Sequence, residues 1–231
     1  MKQPDFRHEL KYLCSDAELA MLDIRLRTLM QPDPHVGANG RYQIRSIYFD
    51  DPAGRCLQEN EDGTSPREKW RIRIYDRSDE RIALECKRRE SGMIRKQSCL
   101  LTRSQYEELM NKEHVPLPSD QYPPLLNRLL LLKRTAGYAP RVIVQYERTP
   151  WIYAPGNVRV TFDRNIGSSD AIGCFFEGQL PSRPILPTGV QLLEVKYDAF
   201  LPDLVYRAVQ MQNMQQLSFS KYCLCRRYAR S

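Results

Sequence analysis

The sequence predicts an α+β fold: a closed antiparallel β-barrel with helices packed outside. Three observations predict it. At least seven segments read as strands, and they lie along the whole chain. Helices with recognisable start signals are interposed between them rather than gathered at one end. The strands also carry charged residues at alternate positions, which gives each an apolar and a charged face. A sheet with one charged face and one face for helices to cover fits a barrel in which helices pack outside.

The first strand runs over Phe6–Leu13. Ser15 then opens a helix to about Met30, because Ser15 and Glu18 form a capping box and Leu19, Leu22, Leu26 and Leu29 form an apolar stripe. Pro32 and Pro34 end it. Gln43–Phe49 is the next strand, and Asp50-Asp51-Pro52 starts a turn. Trp70–Tyr75 and Arg81–Arg88 are strands split by a polar turn, and Glu90-Ser91-Gly92 is a hairpin break before Met93–Leu101. Thr102 caps a short helix to about Lys112, and a Pro-rich connection leads to a helix over Leu125–Lys133. Val142–Tyr153, Val158–Phe162 and Leu192–Tyr197 are further strands, whereas Leu201–Met214 and a segment after Phe219 read as helical.

Composition narrows the function. The 231 residues suit one domain spanning 1–231, and the 42% hydrophobic content is that of an ordinary globular chain. The net charge of +7 favours an anionic partner, although a merely basic protein would look the same. No apolar stretch is long enough to span a bilayer, and the N-terminus lacks the apolar core of a signal peptide. Seven scattered cysteines do not read as a disulfide framework, so a cytoplasmic location is expected. Cys223 and Cys225 have no second ligand pair at zinc spacing. His8, His35 and His114 have no partnered nucleophile and read as surface residues.

The chemistry lies in the alternation. In Trp70–Tyr75, Arg71 and Arg73 share a face with Tyr75. Glu85 and Lys87 pair in the same way, as do Tyr146 and Arg148, then Arg159, Thr161 and Asp163, then Glu194 and Lys196, and finally Glu9 and Lys11. A single such strand would simply turn its polar face to water, but six repeats argue for an enclosed charged lining. Arginine forks match phosphate oxygens, and a divalent metal bridging phosphates needs one or a few hard oxygen ligands. Together they would stabilise charge on a transferred phosphoryl group. Burying so many cations requires a wide, hydrated interior.

The ordered segments Arg7–Tyr12 (RHELKY), Ser46–Asp51 (SIYFDD), Lys69–Tyr75 (KWRIRIY), Leu84–Arg89 (LECKRR), Tyr146–Arg148, Val158–Arg164 (VRVTFDR), Leu193–Asp198 (LEVKYD) and Ser218–Tyr222 (SFSKY) resemble the triphosphate tunnel metalloenzymes. Within them the chain is most similar to the VTC branch, the polyphosphate polymerase domain of the vacuolar transporter chaperone complex. The resemblance implies an eight-stranded tunnel, a divalent metal (Mn2+ or Mg2+), and transfer of the γ-phosphate of ATP to inorganic polyphosphate. It implies phosphate contacts from Lys11, Arg71, Arg73, Lys87, Lys96, Arg148, Arg159 and Lys221, hydrogen bonds from Tyr146 and Ser220, and metal binding by Glu194. Glu9 and Lys196 join the substrate-binding set. Arg7 stands where the wider superfamily has an acidic residue, and Ser218 stands where the polymerase pattern has a basic one. A tripolyphosphatase or nucleoside triphosphatase on the same barrel, and a non-catalytic polyphosphate binder, remain alternatives. Nucleic acid is not expected as a partner, because no recognised RNA-binding motif is present. The basic run Arg226–Arg230 admits a peripheral membrane contact, with a solvated helix face as the plainer reading.

Overall fold

The computed structural model describes residues 8–37, 39–91, 93–111, 113–211 and 214–228. In chain order it contains β1 (His8–Ser15), α1 (Asp16–Arg27), β2 (Gln31–Pro32), β3 (Tyr42–Asp50), α2 (Arg55–Glu61), β4 (Arg67–Tyr75), β5 (Ile82–Glu90), β6 (Met93–Leu101), α3 (Arg103–Met110), α4 (Pro124–Ala136), β7 (Ala139–Tyr153), β8 (Val158–Ser169), β9 (Arg183–Pro184), β10 (Val190–Tyr197), α5 (Asp203–Val209) and α6 (Lys221–Tyr228). The hydrogen-bonded order is β1-β10-β8-β7-β3-β4-β5-β6, with the two-residue β2 and β9 beside β7 and β8. The chain divides into two compact units. The first holds the described residues up to Gln43, with Tyr146–Gly167 and Pro184–Ser220. The second holds Ile44–Gln145, Ser168–Arg183 and the residues from Lys221 on.

In the first unit, β10 pairs antiparallel with β1 on one side and β8 on the other. One face of these strands is apolar: Val158, Val160, Phe162, Leu193 and Val195 are buried against Leu19, Leu22 and Leu26 of α1 and Val205, Ala208 and Val209 of α5. The capping box that starts α1 is complete, with the Ser15 hydroxyl accepting from Glu18 N and the Glu18 carboxylate accepting from Ser15 N. The predicted Phe6–Leu13 strand begins at His8 in the described residues, and Phe6 and Arg7 lie outside them.

In the second unit β4 pairs with β3 and β5, and β5 pairs with β6, all antiparallel. Its core joins Ile47, Phe49, Trp70, Ile72, Leu84 and Cys86 to Tyr106 and Leu109 of α3 and to Leu126, Leu129 and Leu130 of α4. Thr102 and Gln105 form a second complete capping box. One helix escapes the sequence reading. The N-cap of α2 is Gly54, at φ 74°, and offers no side-chain cap; the α2 amides are capped instead by Asp50. The helix expected over Leu201–Met214 is shorter: α5 runs only over Asp203–Val209, and the described residues on either side are not helical.

The expected closed barrel is a correction: the strand order is open, ending at β1 and β6. The outer edge of β1 is taken by a non-strand segment, for Leu217 N donates to Lys11 O at 2.9 Å and Tyr12 bridges to Gln216. At the other end, exposed Arg95 and Lys96 make β6 a poor template for a further strand. No helix among the described residues is long and apolar enough to cross a membrane.

Candidate functional site

Each unit carries one charged strand face, opposite its apolar core. On the first unit, β1 and β10 align Lys11 with Glu194 and Glu9 with Lys196, and β8 adds Thr161 beside Glu194 and Arg159 beside Lys196. Lys196 Nζ lies 2.9 Å from Glu194 Oε2 and 3.2 Å from Glu9 Oε1, so it bridges the two carboxylates. Lys11 Nζ is 3.4 Å from Glu9 Oε2 and donates to the Phe219 carbonyl at 2.9 Å. Burial acts to lower the Lys196 pKa, but Glu194 and Glu9 outweigh it and hold the ammonium above its ordinary value.

Arg148 of β7 is the deepest cation of this face. Its Nε and Nη2 donate to the two oxygens of Asp163 at 2.6 and 2.7 Å, and Nη2 is 3.3 Å from Glu194 Oε2. The Tyr146 ring lies beneath the guanidinium at 5.2 Å. Burial opposes the charge on Arg148, yet Asp163 and its hydrogen bonds prevail and keep the group firmly protonated. Arg159 Nη2 reaches Asp33 Oδ2 at 2.7 Å and the Tyr42 hydroxyl at 2.9 Å. Two polar atoms of the face, Arg159 Nε and Thr161 Oγ1, are buried without a hydrogen-bond partner. Such atoms are uncommon and call for an oxygen-bearing ligand or water.

On the second unit, Ser46, Tyr48, Arg71, Arg73, Glu85, Lys87, Lys96 and Ser98 share a face by register, and so does Lys69. Glu85 Oε2 accepts from Arg71 Nε and Nη2, both at 2.6 Å, and Glu85 Oε1 accepts from Lys96 at 3.1 Å. Arg71 Nη1 donates to the Tyr48 hydroxyl at 3.0 Å, and Arg73 Nε donates to the Ser46 hydroxyl at 3.2 Å. Burial would raise the Glu85 pKa, but Arg71, Arg73 and Lys96 hold this carboxyl well below the usual range. Lys69, Lys87 and Lys96 are successive register partners across three strands. Like charges placed directly opposite repel, which makes this face a natural seat for an anion.

The structure thus groups Glu9, Lys11, Tyr146, Arg148, Arg159, Glu194 and Lys196 on the first unit, and Arg71, Arg73, Lys87 and Lys96 on the second. Ser220 ends the first unit, and Lys221 opens α6 in the second. Sequence reasoning missed the ion pair of Arg159 with Asp33, and it gave Lys69 and Tyr48 no role although both lie within the quoted motifs. Alternation from Arg71 could have found Lys69. Among the described residues, no three or more His, Cys, Asp or Glu side chains cluster closely enough to hold a metal ion.

Fold and site define an α+β protein whose antiparallel strands present charged faces. The chain belongs to the VTC domain family, whose model matches residues 6–229. No curated protein matches it. Among solved structures it is similar to a Bacillus halodurans protein named "putative adenylate cyclase", with a TM-score of 0.51, 14% identity, and 88% of this chain and 86% of that chain covered. That likeness is one of fold. A Pyrococcus horikoshii protein aligns with a TM-score of 0.44 and 13% identity over 90% of this chain and 94% of that chain.

Proposed function

We propose that the chain is an ATP–polyphosphate phosphotransferase that extends inorganic polyphosphate with the γ-phosphate of ATP. The observation that carries the reading is the charge pattern of the second unit's strand face, where Lys69, Arg71, Arg73, Lys87 and Lys96 share a face with Glu85, which Arg71 and Lys96 contact. A face with that excess suits a ligand with one negative charge per repeat, and family membership points to phosphate chains. In the reaction, a terminal oxygen of the chain attacks the γ-phosphorus, the bond from that phosphorus to the β-bridging oxygen breaks, and ADP leaves. No protein nucleophile is required; positioning and charge stabilisation suffice.

The first unit fits a divalent metal delivered with the nucleotide. Glu194 and Glu9 supply two hard carboxylates, with the unpartnered Thr161 hydroxyl on the same face. Mg2+ or Mn2+ is commonly held by one or two carboxylates, with phosphate and water as the remaining ligands, so a larger protein cluster is not needed. When bound, the metal would neutralise charge on the phosphates. Lys196 and Lys11 would then stay near the carboxylates as donors to phosphate oxygens, and Arg148 would hold Glu194 in place from behind.

The test is purified chain incubated with ATP and Mn2+, with products resolved on a gel and ADP measured. A polyphosphate ladder with matching ADP is expected, and Glu194→Gln and Arg71→Ala should each abolish it. Free phosphate without a ladder would overturn the polymerase reading in favour of a hydrolase. Binding of tripolyphosphate without turnover would leave only a binder.

A further inference from the structure

Within the second unit, one chain of contacts links the start of the C-terminal helix to Arg71. It begins at Asp50, whose side chain is fully buried. Oδ1 accepts from the Asp51 and Cys56 amides, both at 2.9 Å, and Oδ2 accepts from the Leu57 amide at 3.2 Å. Asp50 therefore caps α2, a helix with no cap of its own. The fourth donor to this carboxylate is the Tyr222 hydroxyl, at 2.6 Å. Tyr222 lies in the first turn of α6, one residue after Lys221, and is 1% exposed.

From there the path turns toward the charged face. The Tyr222 ring stacks on Tyr48, with centroids 5.0 Å apart and planes 29° from parallel. The Tyr48 hydroxyl accepts from Arg71 Nη1 at 3.0 Å, while Arg71 Nε and Nη2 are held by Glu85. All three guanidinium nitrogens are thus fixed before any ligand arrives, so little side-chain freedom remains to be lost on binding.

We propose that Tyr222 and Tyr48 are positioning residues for phosphate recognition: Asp50 anchors Tyr222, Tyr222 buttresses Tyr48, and the Tyr48 hydroxyl sets the direction of the Arg71 guanidinium. The same anchor fixes the first turn of α6, and with it the backbone of Lys221. This inference rests on the proposed phosphate-binding role of Arg71 and Lys221. It assigns no contact with substrate to either tyrosine.

The experiment measures tripolyphosphate binding by calorimetry at low ionic strength, where the remaining cations keep an Arg71→Ala chain measurable. Tyr222→Phe and Tyr48→Phe keep the rings and remove only hydroxyls. Each should weaken binding about tenfold, the value of one hydrogen bond to a charged group. In the Arg71→Ala background, Tyr48→Phe should have no further effect, and Tyr222→Phe should keep only the part that passes through Lys221. Equal losses for Tyr48→Phe in both backgrounds would mean a merely structural role and overturn the inference. If Tyr222→Phe does not accumulate as folded protein, the Tyr48→Phe cycle decides alone. Wild-type chain that fails to bind tripolyphosphate would defeat the functional reading itself. Wild-type binding that neither tyrosine variant changes would defeat this inference only.

Discussion

Asp163→Ala should be among the most damaging single substitutions in the first unit. The side chains of Asp163 and Arg148 are 0% and 8% exposed, and two parallel hydrogen bonds of 2.6 and 2.7 Å join them. Removing one partner of a buried pair leaves an uncompensated charge, at a cost of about 3–5 kcal/mol. Arg148 has one place to turn, since Nη2 already lies 3.3 Å from Glu194 Oε2, so the lower end of that range applies. For a chain of this length each kcal/mol moves the melting point by about 2–4 °C, so a drop of roughly 6–12 °C is expected. The assay is thermal unfolding by circular dichroism at fixed salt. The double variant Arg148→Met with Asp163→Leu should recover most of the loss, because an apolar pair of similar volume avoids desolvating two charges. It should nevertheless make no polyphosphate, which separates the stability of the pair from its function. An Asp163→Ala chain melting within about 2 °C of wild type would refute the reasoning, because the pair would then not be desolvated in solution.

Two further outcomes follow from the same electrostatics. Glu85 is held below its ordinary value, so its stabilising contribution is complete above about pH 4.5 and is lost as the pH falls below that. The stability gap between wild type and Glu85→Gln, measured by urea unfolding, should therefore shrink as the pH is lowered from about 6 to about 2; a gap constant across that range would show that Glu85 carries no such shift. Burial pushes the thiols of Cys14, Cys86 and Cys225 up to about 12 and raises that of Cys56. These four should resist a thiol reagent at pH 8 in the native chain while all seven cysteines react in denaturant, and fast labelling of Cys14 located by peptide mapping would contradict the packing around it.

What could be read from the sequence was whatever is local. Ser15 with Glu18 and Thr102 with Gln105 declare their helices within four residues, and both capping boxes are complete. Alternation along Trp70–Tyr75 separates Arg71 and Arg73 from Trp70 and Ile72, which are buried in the core. The missed features depend on partners outside the element concerned. α2 is capped by Asp50 from outside the helix, so no motif marks its start. Closure of the sheet is a question of edges, and the edge of β1 is filled by Gln216 and Leu217, residues without strand character. Asp33, set between the two prolines expected to end the first helix, closes on Arg159 across 126 positions at 2.7 Å.

That last pairing changes how buried cations are tolerated here. A lining of unpaired arginines and lysines would demand a wide, wet interior, since unpaired cations are costly to bury. The first unit meets the demand in another way, by setting a carboxylate beside each cation: Asp163 at Arg148, Asp33 at Arg159, and Glu9 and Glu194 at Lys11 and Lys196. Such a face is close to neutral, so it offers little to a phosphate chain by charge alone; in the proposed reaction a metal would exchange places with a lysine at Glu9 or Glu194. On the second unit, Glu85 shares its strand face with Arg71, Arg73, Lys87 and Lys96, a more basic set that suits an anion. In the proposed reaction metal capture and chain binding would be separable: both Glu194→Gln and Arg71→Ala should abolish turnover, but Glu194→Gln should spare tripolyphosphate affinity in the absence of metal, whereas Arg71→Ala should weaken it.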